Sequence, residues 1–211
     1  MLTFDQARSW YKHVDIAHDF SHIERVFKMS ERLAQAEGAD LEIVHAAALL
    51  HDVEGTTPGS EARNEHHLRS AEFAERVLLK EGWPEERIRA VQHCVRAHRF
   101  RGNKESPTTI EAKCIFDAEN LDLLGAIGAT RTIAYTTLVG APLYVPASQQ
   151  FVETGREIPG EPHSAYHEHI LKLQKIEEKL FTQTAKEIAK SRGFFLNLFF
   201  EQLIAEINGE R

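Results

Sequence analysis

Apolar residues along this chain return at every third or fourth position, the period of an amphipathic α-helix. The clearest stripe is Ile23, Val26, Phe27, Ser30, Leu33 and Ala34, with Gly38 where a helix commonly ends. Before it, Thr3 to Gln6 reads as a capping box that opens a first helix running to about His13. Residues 14–20 are then a connector, and the second helix starts near Ser21. Asp40 caps a third helix over Leu41–Leu50. A turn-rich loop, Gly55–Ser60, precedes a fourth over Asn64–Glu81, stopped by Gly82. Pro84 suits the first position of a fifth, which runs to His98.

Beyond a polar, basic loop at 99–107, a sixth helix is expected over Thr109–Leu124. Gly125 and Gly128 should loosen the joint to a seventh over Ala129–Val139. Residues 140–162 hold four prolines and no clear period, which suggests a lid or binding loop. Ser164–Arg192 reads as one long amphipathic helix, Gly193 as a break, and Phe194–Ile207 as the last helix. Strand-like alternation is weak throughout. The pattern predicts an all-α fold, a single-domain helical bundle over residues 1–211.

One stretch departs from simple core patterning. The run Val44–Leu50 is apolar apart from His45 and ends in the dipeptide His51-Asp52. An imidazole and a carboxylate at the end of a buried segment lose hydration that something must replace, and a bound metal ion does so. His22 lies upstream and Asp117 downstream, each in another predicted helix. Together His22, His51, Asp52 and Asp117 form a mixed nitrogen and oxygen donor set for one divalent ion: Mn, Mg, Co, Ni, Fe or Zn. The absence of a thiolate argues against a structural zinc site.

The formal net charge of −7 opposes a nucleic-acid polymer as partner, since such proteins usually carry a basic surplus. A small anion needs only a local cationic cluster. Cys94 and Cys114 lack CxxC spacing and read as reduced, buried thiols. The first residues show no signal-peptide pattern, and no apolar run is long enough to span a bilayer. A cytoplasmic protein without a membrane partner is therefore expected. The stripe Phe195, Leu196, Phe199, Phe200, Leu203 and Ile204 reads as core, with part of it available for a homodimer contact.

The chain resembles the HD superfamily of metal-dependent phosphohydrolases, in its branch of small single-domain proteins. The resemblance rests on His18-Asp19-Phe20-Ser21-His22-Ile23, on Ala47-Ala48-Leu49-Leu50-His51-Asp52, and on His66-His67 with Ser70-Ala71. It continues through His98-Arg99-Phe100, Glu111-Ala112-Lys113 and Asp117-Ala118-Glu119-Asn120-Leu121-Asp122 with Gly125-Ala126-Ile127-Gly128. It implies a motif core over about 18–125 with C-terminal helices over 163–208 packing on it. The family's pattern of a His, an adjacent His-Asp and a distant Asp falls here on His22, His51-Asp52 and Asp117. The chain departs from relatives at Val53-Glu54-Gly55 and at Asn120, which leaves substrate choice open.

Around that core, Asp52 and Glu54 are the candidate catalytic carboxylates, Glu54 as a base for the attacking water. His66 and His67 open the fourth helix, and a helix N-terminus favours anions. His98 and Arg99, with Arg101 beyond them, form a basic cluster suited to phosphate. Arg25, one turn past His22, and Asp122 complete the substrate-binding candidates, with Lys172 and Arg131 behind them. His13, His45, His93, His163, His167 and His169 read as core or helix-face residues.

The resemblance implies hydrolysis of a phosphate ester or anhydride by a metal-activated water, on a small phosphorylated molecule such as a nucleotide. Several basic groups around a small pocket favour a triphosphate pyrophosphohydrolase or nucleotidase over a cyclic-nucleotide phosphodiesterase. The alternatives are a dinuclear iron oxygenase, with His66 or His67 and His93 or His98 at a second metal, and a non-catalytic nucleotide sensor.

Overall fold

Leu41–Leu50 is apolar on nearly every side, and that decides its place. In the computed structural model of the chain it is helix α3, with Val44, Ala47, Ala48, Leu49 and Leu50 almost wholly buried. The structure describes residues 2–11, 19–54, 65–99, 105–156 and 158–211. Helix α3 packs against α1 (Phe4–Trp10), α2 (Phe20–Glu37), α4 (His66–Lys80) and α5 (Glu85–Ala97). A helix with one polar face could not serve four neighbours. The small side chains of Ala46, Ala47 and Ala48 let those neighbours approach closely.

The helix ends follow their capping residues. Thr3 and Gln6 form the expected capping box. The Asp19 side chain accepts from His22 N–H at the start of α2, and Gly38 ends it with φ of 73°. Asp40 accepts from the N–H groups of Glu42 and Ile43 at 3.0 and 3.3 Å. Arg87 of α5 then grips the Asp40 carboxylate with both guanidinium nitrogens, at 2.9 and 3.1 Å, which ties α5 to the start of α3. Pro84 is the residue before α5 rather than its first.

The chain divides into two compact units, Met1–Asn120 with Leu180–Ala185, and Leu121–Lys179 with Lys186–Arg211. The first holds α1 to α5 and all but the last residue of α6 (Ile110–Leu121). The second opens on α7 (Gly125–Leu138), followed by α8 (Gln149–Thr154), α9 (Ala165–Leu171), a 3-10 turn at Leu173–Lys175 and α10 (Ile176–Lys179). Helix α11 spans Gln183–Ile207. The fold is all-α; among the described residues there is no strand and no helix long and apolar enough to cross a membrane.

Three expectations are corrected. Gly125 and Gly128 do not loosen a joint: α7 begins at Gly125, and a Cβ on Gly128 would lie 2.1 Å from Leu123 O, so the backbone is in close contact there. The 140–162 stretch contains α8, capped by Ser148. The single helix expected over 164–192 is broken between Leu171 and Gln183, whereas Gly193 lies inside α11. The break has a partner outside the local sequence: the Asp117 carboxylate accepts from Phe181 N at 2.9 Å and from Thr182 N and Oγ1 at 2.7 Å each. Thr182 Oγ1 also accepts from Ala185 N, starting α11.

Within the second unit, Glu161 ties the loop before α9. It accepts from Ser148 N–H and Oγ, and lies 3.0 Å from His167 Nε2. The buried His169 ring stacks on Phe200 with centroids 4.2 Å apart.

Candidate metal centre

Five helix ends in the first unit deliver the site. The first turn of α2 supplies His22. The end of α3 supplies His51, with Asp52 in the following turn. The start of α4 supplies His66 and His67, His98 ends α5, and the last turns of α6 supply Glu119. His22 and His51 are fully buried, and Asp52 and His98 nearly so.

Two groups of donors result. In the first, Glu119 Oε2 lies 3.1 Å from His22 Nε2 and 3.4 Å from His51 Nε2, and Asp52 Oδ2 lies 3.9 Å from His51 Nε2. In the second, Asp52 Oδ1 lies 3.3 Å from His66 Nε2 and 3.4 Å from His98 Nε2, and those two nitrogens are 3.2 Å apart. Each group has one ligand atom per residue within 4.8 Å of the others, close enough to hold a metal ion, and Asp52 is near both.

Backbone contacts orient two of the rings. His51 Nδ1 donates to Ala48 O at 2.9 Å, and His98 Nδ1 donates to Val95 O at 2.6 Å. In the neutral ring each Nε2 then presents a lone pair to a carboxylate, an arrangement that calls for a cation between them. His51 Nε2, Asp52 Oδ1 and Glu119 Oε2 are buried and make no hydrogen bond of acceptable geometry among the described residues. Converging, unsatisfied donor atoms of this kind fit a divalent ion.

The electrostatics agree. Burial would raise Asp52, but His51, with His66 and His98 beside it, holds it well below the carboxylate range. Burial would likewise raise Glu119, and His22 and His51 hold it low. Burial pulls His51 down, and the charges of Asp52 and Glu119 override it, to about 9. Burial lowers His98 despite its contact with Asp52. His67 is pushed down to about 4, by burial first and then by His66, His98 and Arg99. Burial, with the charge of Asp52, raises the Tyr11 phenol well above its ordinary value.

Of the residues singled out in the sequence, the structure places His22 and His51 in one group and Asp52, His66 and His98 in the other. Asp117 is not with them: it is fully buried but turned to Phe181 and Thr182, and Glu119 faces His22 and His51 instead. Two residues along a helix is a rotation of about 200°, so Asp117 and Glu119 cannot face the same way. Periodicity gave no guide, because Cys114 to Ala118, Asn120 and Leu121 are all buried. Glu54 engages through its backbone N–H, which donates to Ser70 Oγ at 3.1 Å; its carboxylate is in neither group.

The remaining candidates lie outside both groups. Arg25 donates to Ser21 Oγ within α2. Arg99 is near enough to His67 for its charge to act there. Asp122 belongs to the second unit, where it accepts from Arg131 at 2.7 Å, both side chains buried. His45 stacks on Phe27 and pairs with Glu31, and His93 holds Glu105 and Thr108. His13, His18, Gly55–Ser60, Phe100 and Arg101 lie outside the described residues.

Residues 19–124 match the family model of the HD domain. YpgQ of Bacillus subtilis (strain 168) is 29% identical over 97% of this chain and 94% of its own length. The crystal structure of YpgQ in complex with ADP superposes with a TM-score of 0.76, covering 99% of this chain and all of that one. The Lin1889 protein of Listeria innocua is 28% identical with a TM-score of 0.72, over 97% of this chain and 95% of that one. An HD-superfamily hydrolase of Bacillus thuringiensis is 29% identical with a TM-score of 0.68, over 97% and 96%. With a helix-borne His, an adjacent His-Asp and an acid on α6 converging as they do, the chain belongs to the HD domain superfamily.

Proposed function

We propose that this protein is a metal-dependent phosphohydrolase of a small phosphorylated substrate, a nucleotide. The observation that carries the reading is the convergence of His51 Nε2, Asp52 Oδ1 and Glu119 Oε2, buried and without hydrogen bonds among the described residues, beside His22. In this reading His22, His51, Asp52 and Glu119 hold one divalent ion. Such an ion supplies Lewis-acid polarisation of a phosphoryl oxygen and acidifies water at neutral pH. The whole-chain likeness to YpgQ, a protein crystallised with ADP, supports a nucleotide.

The chain's own residues perform the rest. The hydrogen bonds from His51 and His98 to Ala48 O and Val95 O fix both rings before substrate arrives. His51, with His66 and His98, keeps Asp52 ionised. Arg99 offers a forked guanidinium to phosphoryl oxygens, and His66 and His67 at the start of α4 add donors where the helix end favours an anion. The Glu54 carboxylate is the candidate proton acceptor for the attacking water.

The test is phosphate or pyrophosphate release from a panel of nucleotides with Mn²⁺, Mg²⁺, Co²⁺ or Ni²⁺, with Asp52→Ala as control. Turnover that is lost in the variant is expected. Silence across the panel from metal-loaded protein would refute the assignment.

The triangle of Asp52, His66 and His98 favours a second reading, in which these three residues would hold a second ion. Two irons per chain and oxygen consumption would identify an oxygenase; one ion of another metal would oppose it.

A further inference from the structure

Tyr11 follows α1, whose position is set by aromatic contacts. Phe4 meets Phe27 and Phe20 with ring centroids 4.7 and 6.3 Å apart, and Trp10 meets Phe73 at 5.5 Å. The Arg8 guanidinium lies over the Phe20 ring at 4.3 Å. Tyr11 itself packs edge-on against Phe20, centroids 5.5 Å apart. So held, its hydroxyl reaches the C-terminal end of α3.

There it does two things at once. It donates to Leu49 O at 3.0 Å, and its oxygen faces the backbone N–H of Asp52. The last carbonyls of a helix have no donor within the helix, and Leu49 O is one of these. The hydroxyl supplies the donor that Leu49 O lacks, which no other part of the ring could do. Leu49 and Asp52 flank Leu50 and His51, so the bond to Leu49 O sets the hydroxyl against the turn that presents His51 and Asp52. Ser70 Oγ, accepting from Glu54 N–H, holds the far end of that turn.

We propose that Tyr11 is a positioning residue for the metal centre: its hydroxyl fixes the Leu49–Asp52 turn so that His51 and Asp52 meet the ion in one geometry. The proposal rests on the metal-site reading above. Tyr11 acts through the backbone and touches neither ion nor substrate in this role.

The experiment is a calorimetric titration of metal-stripped wild type and Tyr11→Phe with Mn²⁺, at a temperature where circular dichroism shows both folded. The variant keeps the ring on Phe20 and loses only the hydroxyl. Its Kd is expected to weaken about tenfold, the scale on which outer-shell hydrogen bonds support metal ligands. A purely structural hydroxyl would lower the melting temperature of the apoprotein and leave the Kd of the folded protein unchanged. An unchanged Kd, whatever the melting temperature does, overturns the proposal and leaves the metal reading standing. A wild type that binds none of Mn²⁺, Co²⁺, Ni²⁺, Fe²⁺ or Zn²⁺ overturns both, and the wild-type arm alone shows it.

Discussion

Glu119 Oε2 lies 3.1 Å from His22 Nε2, joining the last turns of α6 to the first turn of α2 across a fully buried imidazole. Its neighbour in sequence, Asp117, faces elsewhere and serves another helix. The two acids should therefore fail in different ways when removed. Glu119→Ala is expected to weaken Mn²⁺ binding by at least about tenfold and to abolish turnover, with the fold retained. Asp117→Ala should cost about 3 kcal/mol in urea unfolding, because a buried carboxylate with charge-assisted hydrogen bonds is lost. Its metal affinity, measured where it is folded, should stay near wild type. Reversed results would restore Asp117 as the ligand.

Metal and stability are linked by the same geometry. The donors converge only in the folded chain, so an ion held by them would bind that state and not the unfolded one. Mn²⁺ at a hundred times its Kd should add about 2.7 kcal/mol to unfolding, and EDTA should remove it. A melting temperature indifferent to both would argue that no ion binds here.

His169 predicts an acid-sensitive step in the second unit. Burial pushes its pKa down to about 4, its ring stacks on Phe200, and Gln174 donates to its Nε2. The unfolded chain, with an ordinary histidine pKa near 6.5, binds a proton more readily than the folded one. Stability from this residue is thus complete above about pH 6.5 and declines to pH 4, by about 3 kcal/mol in all. Wild-type and His169→Phe unfolding free energies, compared across that window, should differ in slope. Parallel curves would remove His169 as the cause.

Two glycines make opposite predictions. A Cβ on Gly128 would lie 2.1 Å from Leu123 O, and backbone cannot give way cheaply. Gly128→Ala should cost about 3 kcal/mol or prevent folding. Gly193 lies inside α11 with nothing within 4 Å of its would-be Cβ. Gly193→Ala should gain about 0.5–1 kcal/mol. Thermal unfolding of the pair checks both.

Much of this was legible because its causes are local. Asp40 ahead of Leu41, Gly38 after Glu37 and the Thr3–Gln6 box each act within four residues, and their helix ends lie where expected. His51 and Asp52 were legible for a related reason: an apolar helix has nothing else polar to deliver at its end. What stayed hidden depends on distant partners. Helix α6 is buried nearly all round, so no stripe told Asp117 from Glu119. The break before α11 is made by Asp117, 64 residues from Phe181 in sequence. Gly193 misled because its residue type suggested a stop that its surroundings do not impose. The Tyr11 contact carries no sequence signal at all.

The reach from Asp117 to Phe181 and Thr182 also orders events during synthesis. Chains fold from the N-terminus as they leave the ribosome. Helices α2 to α5 and the histidines they carry emerge early. The carboxylate two residues before Glu119, however, gains its donors at Phe181 and Thr182 only after all of residues 121–179 have been made. Until then α6 would bury an acid without these three hydrogen bonds, at a cost that favours leaving it undocked. The nascent chain should accordingly gain its imidazoles first and its α6 carboxylate last. On the metal reading, ion capture would then be a late event, and a chain stalled before Thr182 would carry the His-Asp pair without a completed site.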